Sequence, residues 1–567
     1  MPEPIEVPEG RPTHSMSFLD QIFASLETSG DRPILVELRD SARISATGRD
    51  LLTQIAQARA FLASRHLSKG DRVALLAPNS IDWVAMDLAI MAEGLVVVPL
   101  YSRQAAPELV AMMKDCSPSL IICGDAALRD EVVPNWAEAP PQILFKEAFA
   151  SRNAAEILRA GAPAPHPDSD PVAIIYTSGT SGEAKGVILN SGNISHMLGC
   201  TSARLDQLMQ GKAGQDNVFH YLPFCFAGSW IMLLTCLLRH SELTINTDLT
   251  KLAEQMRGAA PHYFLNVPQL LERMRKAVDE QLWKAGGLPL AIYSRAKSAY
   301  MRAREGKKSF SDSIWLGLAN AIIFPAIRKK MIGANLKALI CGSAPLNVET
   351  QIFFMMIGIP VLQVYGLTET TAICTMDLPG SFEPGRVGPA IAGVEMKLSE
   401  NQEILVRGPN IFPGYWNRPE ETQKALRDGW FYTGDQGEVN ASGNWKITGR
   451  IKNLIILGSG HNIAPEGIEE EIASRLPGAQ VVLMGNGRSY LSTVVTGSVN
   501  PEQVQSALEA VNASLPHYKQ VRAFRISAEP FTIENGLLTA NGKLKRDLIA
   551  HRFRAEIEQM YAVKQAV

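Results

Sequence analysis

Apolar runs and amphipathic stretches alternate along much of this chain, and the alternation predicts its elements. RVALLAPNS (72–80) reads as a strand and turn, IDWVAMDLAIMAEG (81–94) as a mostly buried helix ending at Gly94, and LVVVPLY (95–101) as a strand. APELVAMMKDC (106–116) follows as a helix and SLIICG (119–124) as a strand. Continuous apolar strands separated by helices imply βαβ units and a largely parallel sheet buried on both faces. The alternation returns at LKALICG (336–342) and IPVLQVYG (359–366). Between about 272 and 335 the pattern changes to a long, helical and locally basic stretch. From about 385, short strands and turns (VEMKLSE, EILVRGP, GEVNASGNWKITGR) predict a small β-rich subdomain. After Arg450 a compact segment has its own strands (QVVLMGN, LSTVVTG) and helices (PEGIEEEIASRL, PEQVQSALEAVNASL), enough for a separate domain. The expected fold is α/β. It has a large N-terminal domain over 1–450, with parallel-type sheets packed by helices, and a small α+β domain over 451–567.

Composition narrows the function classes. The 567 residues are 46% hydrophobic and 20% charged, ordinary for a globular protein. Lys and Arg number 55 against 57 Asp and Glu, a net charge of −2 that gives no global reason to expect nucleic acid as partner. Seven scattered cysteines without a CxxC fit reduced thiols and a cytoplasmic location better than a disulfide or zinc framework. The N-terminus lacks the basic-then-apolar order of a secretory signal. Apolar runs such as WIMLLTCLL (230–238) fall short of the ~20 residues that span a bilayer. The basic stretch 295–330 reads first as a solvated helical face, with peripheral contact to anionic lipid as the alternative.

Candidate chemistry begins at YTSGTSGEAKG (176–186), a glycine- and hydroxyl-rich loop after the apolar run PVAIIY. Such loops present backbone N–H groups to phosphate. Yet Lys185 stands between Ala184 and Gly186, without the preceding glycine and following hydroxyl of a Walker A loop, and the glycine spacing is not GxGxxG. The loop resembles that of the adenylate-forming (AMP-binding) superfamily, close to YTSGTTGxPKGV. Further motifs follow in that family's order: CGSAPL (341–346), YGLTET (365–370), RVGPAIAGVEMKL (386–398), GWFYTGD (429–435), GRIKNLIILGSGHNIAPEGIEEEI (449–472) and LTANGKLKRDLI (538–549). The wording is nearest the long-chain fatty acid–CoA ligase branch.

The resemblance implies a reaction and roles. A carboxylate attacks the α-phosphorus of ATP, pyrophosphate leaves, and the thiol of coenzyme A then displaces AMP from the acyl-AMP. Thr177, Ser178, Gly179, Thr180, Ser181, Gly182 and Lys185 would hold the β- and γ-phosphates. Tyr365 would stack on adenine, with Gly366 beside it and Gly342, Ser343 and Ala344 on the other side. Thr368 would bond the α-phosphate and Glu369 would ligate Mg²⁺. Asp435 would bind the ribose hydroxyls, with Arg450 near ribose or phosphates. Lys543 would be the catalytic cation, its neighbours Lys545 and Arg546 being solvent-exposed or turned to the acceptor. Lys452 falls at the hinge of a rotating C-terminal domain, and Gly458 and Gly460 would leave room for the acceptor's pantetheine arm.

Departures bear on the substrate. Phe226 or Cys225 stands near a position where the family often has histidine, and Asn453 replaces a common acidic residue. FAGSWIMLL (226–234) and HYFLNVPQLLERM (262–274) are the expected acyl-pocket segments, and their aliphatic and small side chains suit an alkyl chain. A medium- or long-chain fatty acid is the expected substrate. Transfer to a carrier-protein phosphopantetheine or another acceptor is the alternative to coenzyme A. Oligomeric state is left open.

Overall fold

The run Val73–Leu76 shows how the pattern becomes structure. All four residues are fully buried, and their strand, Arg72–Leu76, pairs in parallel with Val96–Leu100 on one side and Leu120–Cys123 on the other. With helices over both faces, nothing favours a polar residue at alternate positions. Ser80 starts the next helix, Ile81–Ala92, by accepting the Trp83 N–H, and the chain leaves it through Gly94 at φ +74°. The computed structural model describes residues 16–39, 42–150, 163–178, 184–212, 214–333, 335–539 and 542–562.

The first sheet has six strands, in the order Gln142–Leu144, Leu120–Cys123, Arg72–Leu76, Val96–Leu100, Pro171–Ser178 and Ala184–Asn190. Only the last pair is antiparallel, with Thr177 opposite Lys185 and Ser178 opposite Ala184. The glycine-rich loop therefore joins two strands of a hairpin. A helix begins only at Ser191, beyond the second strand. Phosphate held here would meet hairpin backbone and side chains, without a helix N-terminus directly behind the loop. Gly179, Thr180, Ser181 and Gly182 lie outside the described residues.

The second sheet has eight strands, parallel within and antiparallel at its two edges, Ala42–Thr47 and Thr375–Met376. The strands Ala338–Cys341 and Val361–Tyr365 lie next to each other near one edge, so the loops CGSAPL and YGLTET leave the same end of the sheet. One apolar cluster, from Phe18 to Trp445, joins both sheets and their helices. The stretch after 267 is helical, as its composition predicts, with helices Pro268–Ala285, Gly287–Arg304, Phe310–Leu318 and Phe324–Met331. A small antiparallel sheet built on Glu395–Leu398, Glu403–Arg407, Trp430–Val439 and Trp445–Arg450 follows.

Beyond position 454 two further apolar clusters contain only C-terminal residues. One packs the helices Glu466–Arg475 and Pro501–Asn512 on the three-stranded sheet Gln480–Met484, Leu491–Thr496 and Val521–Ser527. The other binds Phe531, Leu537, Ile549 and Phe553 to the opposite sheet face through Val482 and Val494. That second cluster anchors both ends of the segment carrying Lys543.

Candidate active site

A cleft of about 2500 Å³ opens where the sheet ends, the small β-rich unit and the C-terminal segment meet. Thr177, Lys185, Gly342, Ser343, Ala344, Tyr365, Gly366, Thr368, Glu369, Asp435, Arg450, Lys452 and Lys543 all line it. Residues more than 350 positions apart in sequence thus share one enclosure.

Asp435 and Arg450 meet because of strand register. They are direct partners on the antiparallel strands Trp430–Val439 and Trp445–Arg450, and Arg450 Nε lies 2.8 Å from Asp435 Oδ1. Asp435 is 2% exposed, since alternate residues of its strand face inward. Tyr365 donates its hydroxyl to Asp435 Oδ2 at 2.8 Å. Burial pushes the Asp435 carboxyl above its ordinary value, while the Arg450 charge and the Tyr365 hydroxyl pull it back. The Tyr365 phenol is driven up in turn, by burial and by the Asp435 charge, so it stays a protonated donor. The tyrosine that resemblance assigns to adenine stacking is therefore also tied to the aspartate assigned to ribose.

Glu369 sits in the short turn Thr368–Thr370, just past the strand Val361–Tyr365. The turn is braced from behind by Asn410. Its amide donates to the carbonyls of Thr370 and Ile373, and its own carbonyl accepts from the Thr371 hydroxyl. Glu369 Oε1 accepts from the Tyr415 hydroxyl at 2.8 Å, and Lys185 Nζ lies 5.1 Å from the centre of the Tyr415 ring. Burial lowers the Lys185 pKa, with Glu421 and Glu369 opposing and Lys452 and Arg418 adding repulsion. Among the described residues no three His, Cys, Asp or Glu side chains form a metal cage. Glu369 alone suits a Mg²⁺ ion that takes its remaining oxygens from phosphate and water.

Lys543 enters the same cleft from the C-terminal segment. Its turn is closed by backbone contacts, the Thr539 N–H to the Lys543 carbonyl at 2.8 Å and the Lys543 N–H to Thr539 Oγ1 at 3.1 Å. The side chain is exposed to the water of the cleft. Desolvation by the nearby protein, then the Arg450 charge, lowers its pKa, with Asp435 and Glu369 opposing. Its neighbours, expected to be solvent-exposed or turned to the acceptor, are half-buried and ion-paired. Lys545 pairs with Glu108 at 3.4 Å, across to the N-terminal region. Arg546 grips the buried Glu469 through both guanidinium ends, at 2.6 Å for the first, and Glu469 also accepts the Leu483 N–H at 2.6 Å. An interior carboxylate has to be paired, so Arg546 belongs to the domain's own structure.

Two glycines are required by close approach. A Cβ on Gly366 would fall 2.3 Å from the Ala372 carbonyl oxygen, and one on Gly342 would fall 2.7 Å from Val364 Cγ2. Ser343 beside them has φ +72° and Ala372 φ +84°, strained values for residues with a Cβ. Phe226 lines the cleft just ahead of the helix Ala227–Leu238, whereas Cys225 is buried. Ile231, Met232, Leu265, Ile340, Leu362 and Ile373 give the cleft an apolar wall. Arg204 interrupts that wall from the helix Ser191–Met209. Its Nη1 is buried without a hydrogen-bond partner, as is Oδ1 of the nearby Asp377. Gly458 and Gly460 do not line the cleft. They stand in the hairpin of Ile455–Ile456 and Asn462–Ile463, with the Gly458 N–H on the Arg488 carbonyl at 2.8 Å.

Four contributors escape motif reading. Tyr415 holds Glu369, Arg418 pairs with Asp115 at 2.9 Å, and Asp115 accepts the Tyr176 hydroxyl at 2.7 Å. Asn410 braces the Thr368–Thr370 turn. The aromatic, turn-rich run NIFPGYWNRP (410–419) was the available signal for three of them.

The profile described as AMP-binding enzyme matches residues 22–416, and that of the AMP-binding enzyme C-terminal domain matches 452–565. The chain is 25% identical over 586 aligned positions to the long-chain-fatty-acid–CoA ligase FadD15 of Mycobacterium bovis, covering 95% of this chain and 96% of that protein. It is 26% identical to the chloroplastic long-chain-fatty-acid–[acyl-carrier-protein] ligase AEE15 of Arabidopsis thaliana, covering 95% and 86%. The crystal structure of ATP-bound MatB from Rhodopseudomonas palustris superposes with a TM-score of 0.71 at 24% identity, over 95% of this chain and 99% of that one.

Proposed function

The chain belongs to the AMP-binding enzyme family, and from that premise we propose that it is an ATP-dependent fatty acid–CoA ligase. In the first step a fatty acid carboxylate oxygen bonds to the α-phosphorus of ATP. The bond from that phosphorus to the bridging oxygen breaks, and pyrophosphate leaves. In the second step the sulfur of coenzyme A bonds to the acyl carbon, AMP leaves with the electron pair of the C–O bond, and the thiol proton passes to water.

The observation that carries this reading is Lys543, delivered by the C-terminal segment into the enclosure of Glu369, Asp435 and Arg450. Two anions that must react need a cation placed between them. Lys543 would bridge carboxylate and α-phosphate, and Thr368 would donate to the α-phosphate. Thr177, Ser178, Gly179, Thr180, Ser181 and Gly182, with Lys185, would hold the departing β,γ-pair. Asp435 and Arg450 would hold the ribose, while Tyr365, Gly366, Gly342, Ser343 and Ala344 would enclose adenine. Glu369 would hold Mg²⁺, which neutralises phosphate charge when bound. Lys452, in the turn Ile451–Asn453, would be the hinge. The apolar wall supports an alkyl substrate of medium or long chain, as do relatives named for long-chain fatty acids.

A second reading keeps the first step and gives the acyl group to a carrier-protein phosphopantetheine; the similarity to AEE15 favours it. Pyrophosphate release across a panel of carboxylic acids, with and without coenzyme A, tests both. Fatty acid-dependent release with consumption of coenzyme A is expected. Acyl-AMP that persists in the presence of coenzyme A points to the carrier, and ATP cleavage without any carboxylate overturns the class.

A further inference from the structure

The helices between 268 and 331 leave an unusual share of their apolar residues outside. Trp283, Leu288, Met301, Phe310, Ile314 and Ile322 are each at least 40% exposed, and Phe310 reaches 85%. One such residue is ordinary on a protein surface; six within this short span are not. The same stretch carries charge of one sign. From Lys284 to Lys330 there are ten Lys and Arg against two acidic residues, in a chain whose net charge is −2. Both acids are spoken for, since Glu305 pairs with Lys307 at 3.0 Å and buried Asp312 pairs with Arg302.

The helical run Phe310–Met331 is 22 residues long, and by length and composition it is apolar enough to cross a membrane. Its packing argues for another placement. Asp312, Ala319, Ile323 and Phe324 face inward and are buried, the apolar three in the core shared with Phe264 and Leu339 of the sheet. A crossing helix needs an apolar circumference, whereas this one has a protein side and an outer side. The outer side shows Phe310, Ile314 and Ile322, and the run ends in Arg328, Lys329 and Lys330. Aliphatic and aromatic side chains set among lysines and arginines fit a bilayer interface: the apolar groups enter the headgroup boundary and the cations meet lipid phosphate. Nucleic acid would satisfy the cations and leave the aliphatic groups in water.

We propose that this helical face docks on the surface of a bilayer containing anionic lipid, without crossing it. The proposal is independent of the acyl-ligase reading, because none of the residues from 270 to 339 lines the cleft. The test is flotation of the full chain with vesicles of phosphatidylcholine alone or mixed with phosphatidylglycerol. The wild type is expected to float with the anionic vesicles and to release as salt rises past about 0.5 M, where screening shortens to a few ångströms. The triple variant Phe310→Ser, Ile314→Ser, Ile322→Ser changes exposed positions only, and its circular dichroism and unfolding midpoint should match the wild type. Its apparent vesicle affinity should fall about tenfold or more. Lys329→Glu with Lys330→Glu should remove the preference for anionic over neutral vesicles. The proposal is overturned if the wild type ignores both vesicles, or if the serine variant floats as the wild type does. It is also overturned if the wild type ignores vesicles but self-associates in sedimentation and the serine variant does not, since a second copy is then the occupant.

Discussion

Replacing Lys543 by alanine should separate the two half-reactions. The turn that presents Lys543 is closed by backbone contacts to Thr539, which alanine keeps, so the loss is confined to the ammonium group. Lys543 shares its enclosure with the Asp435–Arg450 pair, itself at 2.8 Å. Two unit charges about 4 Å apart interact by roughly 4 kcal/mol at an effective dielectric constant near 20. Only part of a charge develops on the α-phosphate in the transition state, so about 3–4 kcal/mol is the expected loss, or ~10²–10³ in rate. The assay is fatty acid-dependent pyrophosphate release for the first half. The second half is read as consumption of coenzyme A from chemically prepared acyl-AMP. The first should drop by that factor and the second stay within about twofold. Release that survives within about threefold refutes the bridging role, and equal loss of both halves shows that alanine damaged more than a charge.

Arg546→Met leaves Glu469 buried with only the Leu483 N–H, and should destabilise the chain in urea unfolding by about 3 kcal/mol. Adding Glu469→Leu should recover most of that, and additive effects in the pair would show that the two groups do not depend on each other. Gly366→Ala places a methyl 2.3 Å from the Ala372 carbonyl oxygen, so the adenine side must shift and ATP affinity should fall about tenfold or more by calorimetry; unchanged affinity would mean that the loop yields freely. Ribose binding that needs ionised Asp435 is complete above its folded pKa and lost as pH falls through it. Burial raises that pKa, so the loss begins above the ordinary carboxylate range near 4. Tyr365→Phe removes a donor that favours the charged form and should move the loss to higher pH in nucleotide titrations; a shift to lower pH would contradict this. Arg204→Leu removes a cation with an unpartnered Nη1 from the apolar wall and should lower KM for saturated fatty acids about threefold, whereas a rise would show that the guanidinium serves the substrate.

Much of the fold was legible because its strands are short, wholly apolar and separated by amphipathic helices. Ile81–Ala92 and Ala106–Cys116 lie where periodicity put them. Motif order also picked out Lys185, Glu369, Asp435, Arg450 and Lys543, which share the cleft. The hairpin around the glycine-rich loop was not legible, because an apolar strand followed by glycines has the same local pattern whether a helix or a second strand comes next. Tyr415, Asn410 and Arg418 escaped because aromatic, asparagine and basic residues in a turn read as turn chemistry, and only their neighbours direct them to Glu369, to the Thr370 and Ile373 carbonyls, and to Asp115. Lys545 and Arg546 are half-buried and paired, where solvent exposure was one of two expectations, for a related reason. A basic residue is solvated by default, and only a carboxylate from elsewhere in the fold can draw it inward.

What the sequence determined by itself was the set of elements and the order of the motifs, both properties of local pattern. The tertiary structure decided which of those residues meet. Asp435 faces Arg450 through antiparallel register, the Tyr365 hydroxyl reaches Asp435 from the neighbouring large sheet, and Lys543 arrives from a segment with its own core. It also decided which apolar residues stay outside. Phe310 and Phe324 belong to the same helical run, and only packing buries one and exposes the other. Such contacts depend on the relative placement of elements, which the burial of many side chains sets jointly and no single stretch encodes.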